Sequence, residues 1–149
     1  MPELTDAFGV KIMQLTITLF LAAIGVSACF AQYSERLDRC MEKADNQTAM
    51  HYCANEEARR AEMELGEIYK KLLAAAGSQS VSVAKIRATE EAWIRYRDAY
   101  IEAMYPESDK QAAYGSSFPT EADLLWAKLT YRQIDALREM LKQYEPLKR

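Results

Sequence analysis

The chain has 149 residues, half of them hydrophobic and 28% charged, with a formal net charge of -3. That length holds one domain with a modest core rather than two ordinary ones, and the composition is that of a folded soluble protein. Mild acidity excludes a phosphate-backbone binder, so no nucleic-acid partner is expected, and five Gly and four Pro among many Ala, Leu, Glu, Lys and Arg favour helix.

The opening thirty residues differ from the rest. From Ile12 to Ala31 there is no charge, and Leu15 to Val26 is almost wholly apolar. That core of about a dozen residues is the size of a signal-peptide apolar region and short of the ~20 needed to span a bilayer. Val26-Ser27-Ala28-Cys29 resembles a lipobox, in which Cys29 would be lipidated and become the new N-terminus. Cys29-Phe30-Ala31 would instead suit ordinary signal peptidase and leave Gln32 first, and an uncleaved membrane anchor is the third alternative. Glu3 and Asp6 precede the apolar run, where a leader should be positive. Translation from Val10, a GTG codon read as Met, would restore a normal leader, so residues 1–9 are expected to lie upstream of the true start. Detection of a peptide from within Met1–Gly9 in whole-cell proteomics would rule that out.

Either cleavage takes Cys29 out of pairing. Cys40 and Cys53 then remain as an even pair for an oxidising compartment. Closing a loop of about 14 residues would stabilise the fold by ~3 kcal/mol in the chain-entropy model; the alternative is two free buried thiols.

Apolar spacing predicts four helical segments. The first runs from about Ser34 to Ala44, with Leu37, Cys40, Met41 and Ala44 on one face. Asp45-Asn46-Gln47 reads as a turn with Thr48 as the N-cap. The second helix runs from about Ala49 to Ala76, with Met50, Cys53, Ala54, Ala58, Ala61, Leu65, Ile68, Tyr69, Leu72 and Ala76 at three-four spacing. Cys40 and Cys53 thus fall on core faces of two helices joined by a tight turn, which suits a bridge. Gly77-Ser78-Gln79-Ser80 breaks the chain. The third helix spans about Ser82 to Tyr105, with a stripe of Val83, Ile86, Trp93, Tyr100 and Met104 and an adjoining face of Ala84, Ala88, Ala92, Ala99 and Ala103. Pro106 to Pro119 is the only sizeable loop. Thr120 with Asp123 resembles a capping box, and the last helix runs to about Tyr144 with Leu125, Leu129, Ala136, Leu137, Met140 and Leu141 inward. The expectation is an all-α fold, a small bundle or hairpin assembly of three long helices and one short one with one disulfide.

Catalytic chemistry has little to work with. His51 is the only histidine, and it lies two residues from Cys53 on a helix, so the two cannot share a metal. A Ser-His-Asp or Cys-His site would need the same histidine, and there is no Gly-rich phosphate loop. Glu56, Glu57, Glu62, Glu64 and Glu67 alternate with Arg59 and Arg60, which reads as a solvated helix face rather than a glycosidase pair. No cofactor, no metal and no enzymatic activity are expected. Glu90 and Arg97 share the Trp93 stripe, an unusual place for charges. A partly buried Arg must be paired, so Glu90, Trp93, Arg97 and Asp98 read as an internal polar network; the alternative is that Arg97 meets a partner's carboxylate. In the loop, Gly115 permits close backbone approach, Tyr114 and Phe118 would be aromatic anchors, and Ser116 and Ser117 lie between them. The alternative is a connector packed over the bundle end.

Taken together, Cys40 with Cys53-Ala54, Glu64-Leu65 with Tyr69 and Leu72, Glu90 through Ala99, Gly115-Ser116, and Leu129-Thr130 with Arg132 and Leu137 carry a likeness. Over roughly Cys40 to Leu141 the chain resembles the N-terminal domain of the LprI-type lysozyme-inhibitor family. Its most specific part is Ala92-Trp93, then Tyr96-Arg97-Asp98-Ala99. Two features depart from the family pattern: Gly66 stands where Asn is common, and the second cysteine pair near Ile101 and Leu125 is absent. The resemblance implies an envelope protein, periplasmic or an outer-membrane lipoprotein, touching the membrane only through its leader or lipid. It implies a protein partner, lysozyme for some members. The expected action is occlusion of a cationic muramidase's cleft by the Tyr114–Phe118 loop or the helix face bearing Arg97, with mild acidity favouring encounter. The rival expectation is an envelope adaptor module without lysozyme inhibition.

Overall fold

The computed structural model describes residues 33–77 and 79–144. The expected leader, the lipidation at Cys29 and the start near Val10 all lie outside the described residues. Five helices occur within them: α1 (Glu35–Met41), α2 (Gln47–Ala76), α3 (Ser80–Met104), α4 (Lys110–Tyr114) and α5 (Phe118–Tyr144). Three are long and none is long and apolar enough to cross a membrane. The all-α bundle expected from the apolar spacing is what forms.

Each start has a local cause. Ser34 caps α1, its Oγ accepting from the Leu37 N–H at 3.2 Å, and Leu37 is buried. The cap of α2 is Asn46 rather than Thr48: its side-chain oxygen accepts from the Ala49 N–H at 2.9 Å. Asn is among the strongest capping residues, and it comes first in the chain. The Cys40–Cys53 disulfide joins α1 to α2 across a separation of 13 residues, with the Cα atoms 5.7 Å apart.

Hydrogen bonds Gln47–Thr120, Asn55–Asp123, Glu62–Thr130 and Glu64–Arg138 advance in the same direction along both helices, so α2 and α5 run parallel. Small residues Ala54, Ala58, Ala61 and Ala127 are buried, which lets the backbones approach closely. Larger side chains fill the other end: Leu65, Leu72, Ile86, Ile134 and Leu137 make one cluster with Ala76. Gly77, at φ +57°, ends α2 by donating its N–H to the Leu73 and Ala74 carbonyls. The chain then returns as α3.

Only Ile86 and Arg97 are buried on α3. The row Ala84, Ala88, Ala92, Ala99 and Ala103, expected to adjoin the core, faces solvent, and so does Ala136 of α5. A helix laid against a pair of others needs one narrow stripe. Here that stripe is Ile86, Glu90, Trp93 and Arg97, and the alanines act through helix propensity. The expected 106–119 loop contains α4, capped by Asp109, whose carboxylate accepts from the Ala112 N–H at 2.9 Å. The last helix begins at Phe118, ahead of the supposed capping box. Pro119 sits in its first turn, where a missing N–H costs nothing. Thr120 is buried and its Oγ1 accepts from Gln47 at 2.8 Å.

Candidate functional site

Two polar joints hold the helices together, and both are built on carboxylates from the acidic run of α2. Glu57 is wholly buried. One of its oxygens accepts from the Ser34 N–H and from the Tyr131 hydroxyl, each at 2.9 Å; the other accepts from Ser34 Oγ and Arg60, each at 2.7 Å. Burial alone would raise the pKa of this carboxyl. The hydrogen bonds from Arg60, Ser34 and Tyr131 outweigh that and hold it below the usual carboxylate range. The Tyr131 phenol moves the opposite way, pushed up by burial and by its bond to Glu57. Tying the cap of α1, the middle of α2 and α5 to one side chain gives this joint its weight.

The second joint centres on Arg97, 6% exposed. Its Nη1 donates to Glu62 at 2.8 Å, and its Nε and Nη2 reach Asp98 at 2.9 Å. The same Glu62 oxygen accepts from the Trp126 indole N–H at 2.6 Å and from Thr130 at 3.3 Å. The guanidinium lies 3.7 Å from the centre of the Trp126 ring and 4.9 Å from that of Trp93. Trp93 and Arg97 are four residues apart and so share a face, which is why the Trp-x-x-Tyr-Arg-Asp stretch converges here. Glu90 is held apart from the guanidinium's bonds. It accepts from Gln133 at 3.1 Å, and burial, then the Glu62 charge, raise its pKa. From sequence, Glu62 was expected on a solvated helix face, Thr130 entered only through the family likeness, and Trp126 was missed. The available signal was the four-residue spacing of Trp126 and Thr130 on the last helix.

At the end of the bundle where α3 stops and α5 starts, Tyr105, Tyr114 and Phe118 form an aromatic cluster. Tyr105 meets the other two edge-on at 5.2 and 5.1 Å between ring centres, and Tyr114 and Phe118 stack at 5.9 Å. Tyr114 and Phe118 are therefore half-buried and engaged with their own chain. Ser117 is half-buried too and its carbonyl accepts from the Glu121 N–H. Gly115, at φ +73°, and Ser116 are the exposed tip. Lys110 closes the end of α3 by donating to the Tyr105 carbonyl and, at 3.0 Å, to Glu102.

The charge is unevenly placed. Residues 102–123 carry five carboxylates (Glu102, Glu107, Asp109, Glu121, Asp123) against one basic residue, Lys110. Acids and bases elsewhere in the described chain balance to within a single charge. Four of those five carboxylates are exposed; Asp123 is partly covered and pairs with His51 at 3.2 Å. Among the described residues no group of His, Cys, Asp and Glu is arranged to hold a metal ion.

A family model described as "Lysozyme inhibitor LprI" matches residues 40–137, a stretch that contains the Arg97 joint, the acidic end and every member of the Glu57 joint except Ser34. No curated protein and no solved structure matches the chain.

Proposed function

Since this chain belongs to the LprI lysozyme-inhibitor family, we propose that it is an exported protein that blocks a cationic muramidase by protein–protein contact through its acidic end. The uncharged stretch from Ile12 to Ala31 supports export. In this reading the mature chain is either free in the periplasm or held to the membrane by lipid on Cys29. It has no chemistry of its own.

The observation that carries the reading is the concentration of net charge in residues 102–123. Glu102, Glu107, Asp109 and Glu121 are exposed and flank the Gly115-Ser116 tip along the chain. A surface of one sign steers a partner of the other and fixes its orientation. The face bearing Arg97 is the weaker candidate, because its guanidinium is enclosed by Glu62, Asp98 and two indoles. Tyr114 and Phe118 serve the contact indirectly, by holding the tip in place.

The test is clearing of cell-wall suspensions by lysozymes of several classes, with the purified protein added. Slowing is expected for at least one class, and it should weaken with added salt, since the Debye length falls to about 3 Å at 1 M. Replacing both Glu107 and Glu121 with Lys, which leaves the Asp109 cap of α4 in place, should weaken inhibition about tenfold by slowing association. A matched change on the outer face of α3, Glu91→Lys, should leave it intact. No slowing of any class at micromolar protein would sink the reading and favour an adaptor role.

A further inference from the structure

Beside the Arg97 joint an open groove of about 390 Å³ runs between α2 and α5, within the roughly 300–1,000 Å³ range of small-molecule sites. Asn55, Arg59, Glu62 and Met63 contribute from α2, Asp123 and Trp126 from α5. The Trp126 ring is locked in place by its bond to Glu62 and by the guanidinium stacked over one face. Trp126 lines the groove and Arg97 does not.

The polar groups around it are only partly engaged. One Asp123 oxygen takes both Asn55, at 3.1 Å, and His51; the other has no partner among the described residues. Arg59 is exposed and has no carboxylate partner among them either. Glu62 is neutralised by Arg97, so the open charges are Arg59 and Asp123, which cancel. A neutral groove does not select an ion. Planar side chains that both donate and accept, set beside a fixed aromatic ring, match a pyranose instead: its C–H face packs on the ring, and its hydroxyls bridge carboxylate, amide and guanidinium. Exposed Met63 and buried Ala58 add an apolar patch of the kind an acetyl methyl fills.

The geometry points to a saccharide-binding groove on α2 and α5 that takes a short chain of acetamido sugars. This site shares only Asp123 with the acidic stretch, none of its four exposed carboxylates, and needs no lysozyme to be occupied. It is tested without one, by titrating chitotriose into isotope-labelled protein, purified as the producing cells process it, and following amide and indole resonances. Saturable shifts are expected at the Trp126 indole N–H and the Asn55 side-chain amide, at ligand concentrations up to about 10 mM. Arg59→Ala, at an exposed position, should weaken binding about tenfold while the remaining spectrum stays unchanged. Cellotriose, which lacks the acetamido group, should bind more weakly. No saturable shift at Trp126 and Asn55, an unchanged affinity in Arg59→Ala, or equal binding of cellotriose would each overturn the assignment, whatever the wall-clearing assay shows.

Discussion

Glu57→Ala is expected to lower the unfolding free energy by about 3–5 kcal/mol, the range for removing one partner from a buried charged network. Folded domains hold only about 5–15 kcal/mol in total, so the variant should stand at the edge of unfolding at 37 °C. The cost arises from what is left behind. Ser34 N–H, Ser34 Oγ, Tyr131 and Arg60, all half-buried, lose their shared acceptor at once. Because Ser34 caps α1, that helix should also loosen from α2 and hang on the disulfide.

The same carboxyl gives a pH signature whose sign can be worked out. Its folded pKa is lowered, so it binds a proton less readily in the native state than in the unfolded chain. Its contribution is therefore complete above the ordinary Glu value of about 4.3 and is lost as pH falls through the lower folded value. Glu90, with its raised pKa, acts in the opposite sense: its contribution is present below the ordinary value and lost as pH rises through the folded one. Urea unfolding of the protein and of Glu57→Gln at matched pH separates the two, because Glu90 is common to both. The stability gap should narrow below about pH 4.3. A gap independent of pH would refute the ionised state assigned to Glu57.

Arg97→Lys should cost about 2–4 kcal/mol although the charge is kept. A guanidinium is flat and can lie between Trp93 and Trp126 while reaching Glu62 and Asp98 together. An ammonium is a strongly hydrated point charge that cannot do both. Denaturant unfolding would give the loss, and near-ultraviolet circular dichroism would show the two indoles loosening. The same variant also divides the two candidate contact surfaces. Below its melting range it should still slow lysozyme, if the acidic end makes the contact. Unchanged stability with inhibition abolished would place Arg97 at the interface and overturn both claims.

Much of this architecture can be read along the chain because it rests on local chemistry. Three-four spacing of apolar residues marks the long helices, Gly77 supplies the left-handed residue that ends α2, and Cys40 and Cys53 face each other across a short turn. Cap positions are less secure where two capping residues lie close together, as with Asn46 and Thr48. The aromatic residues of the 105–118 segment are visible in sequence, yet their direction is not. Exposed anchors and an internal cluster use the same Tyr114 and Phe118, and contact with Tyr105 selects the cluster.

The sequence alone determined the three long helices, most of the inward face of α2, the cysteine pair and the Trp93–Asp98 stretch as a place where charge enters the core. It did not determine the outer part of α3, where Tyr100 and Met104 of the expected stripe are exposed. Only the tertiary structure decided which charges are inside. Glu56, Glu57, Glu62, Glu64 and Glu67 look alike in a mixed acidic and basic run, but Glu57 is buried because Ser34, 23 residues before it, and Tyr131, 74 residues after it, bring their donors to its oxygens. A carboxylate can leave water only where such donors replace it, and helix packing supplies them from parts of the chain that no local pattern connects.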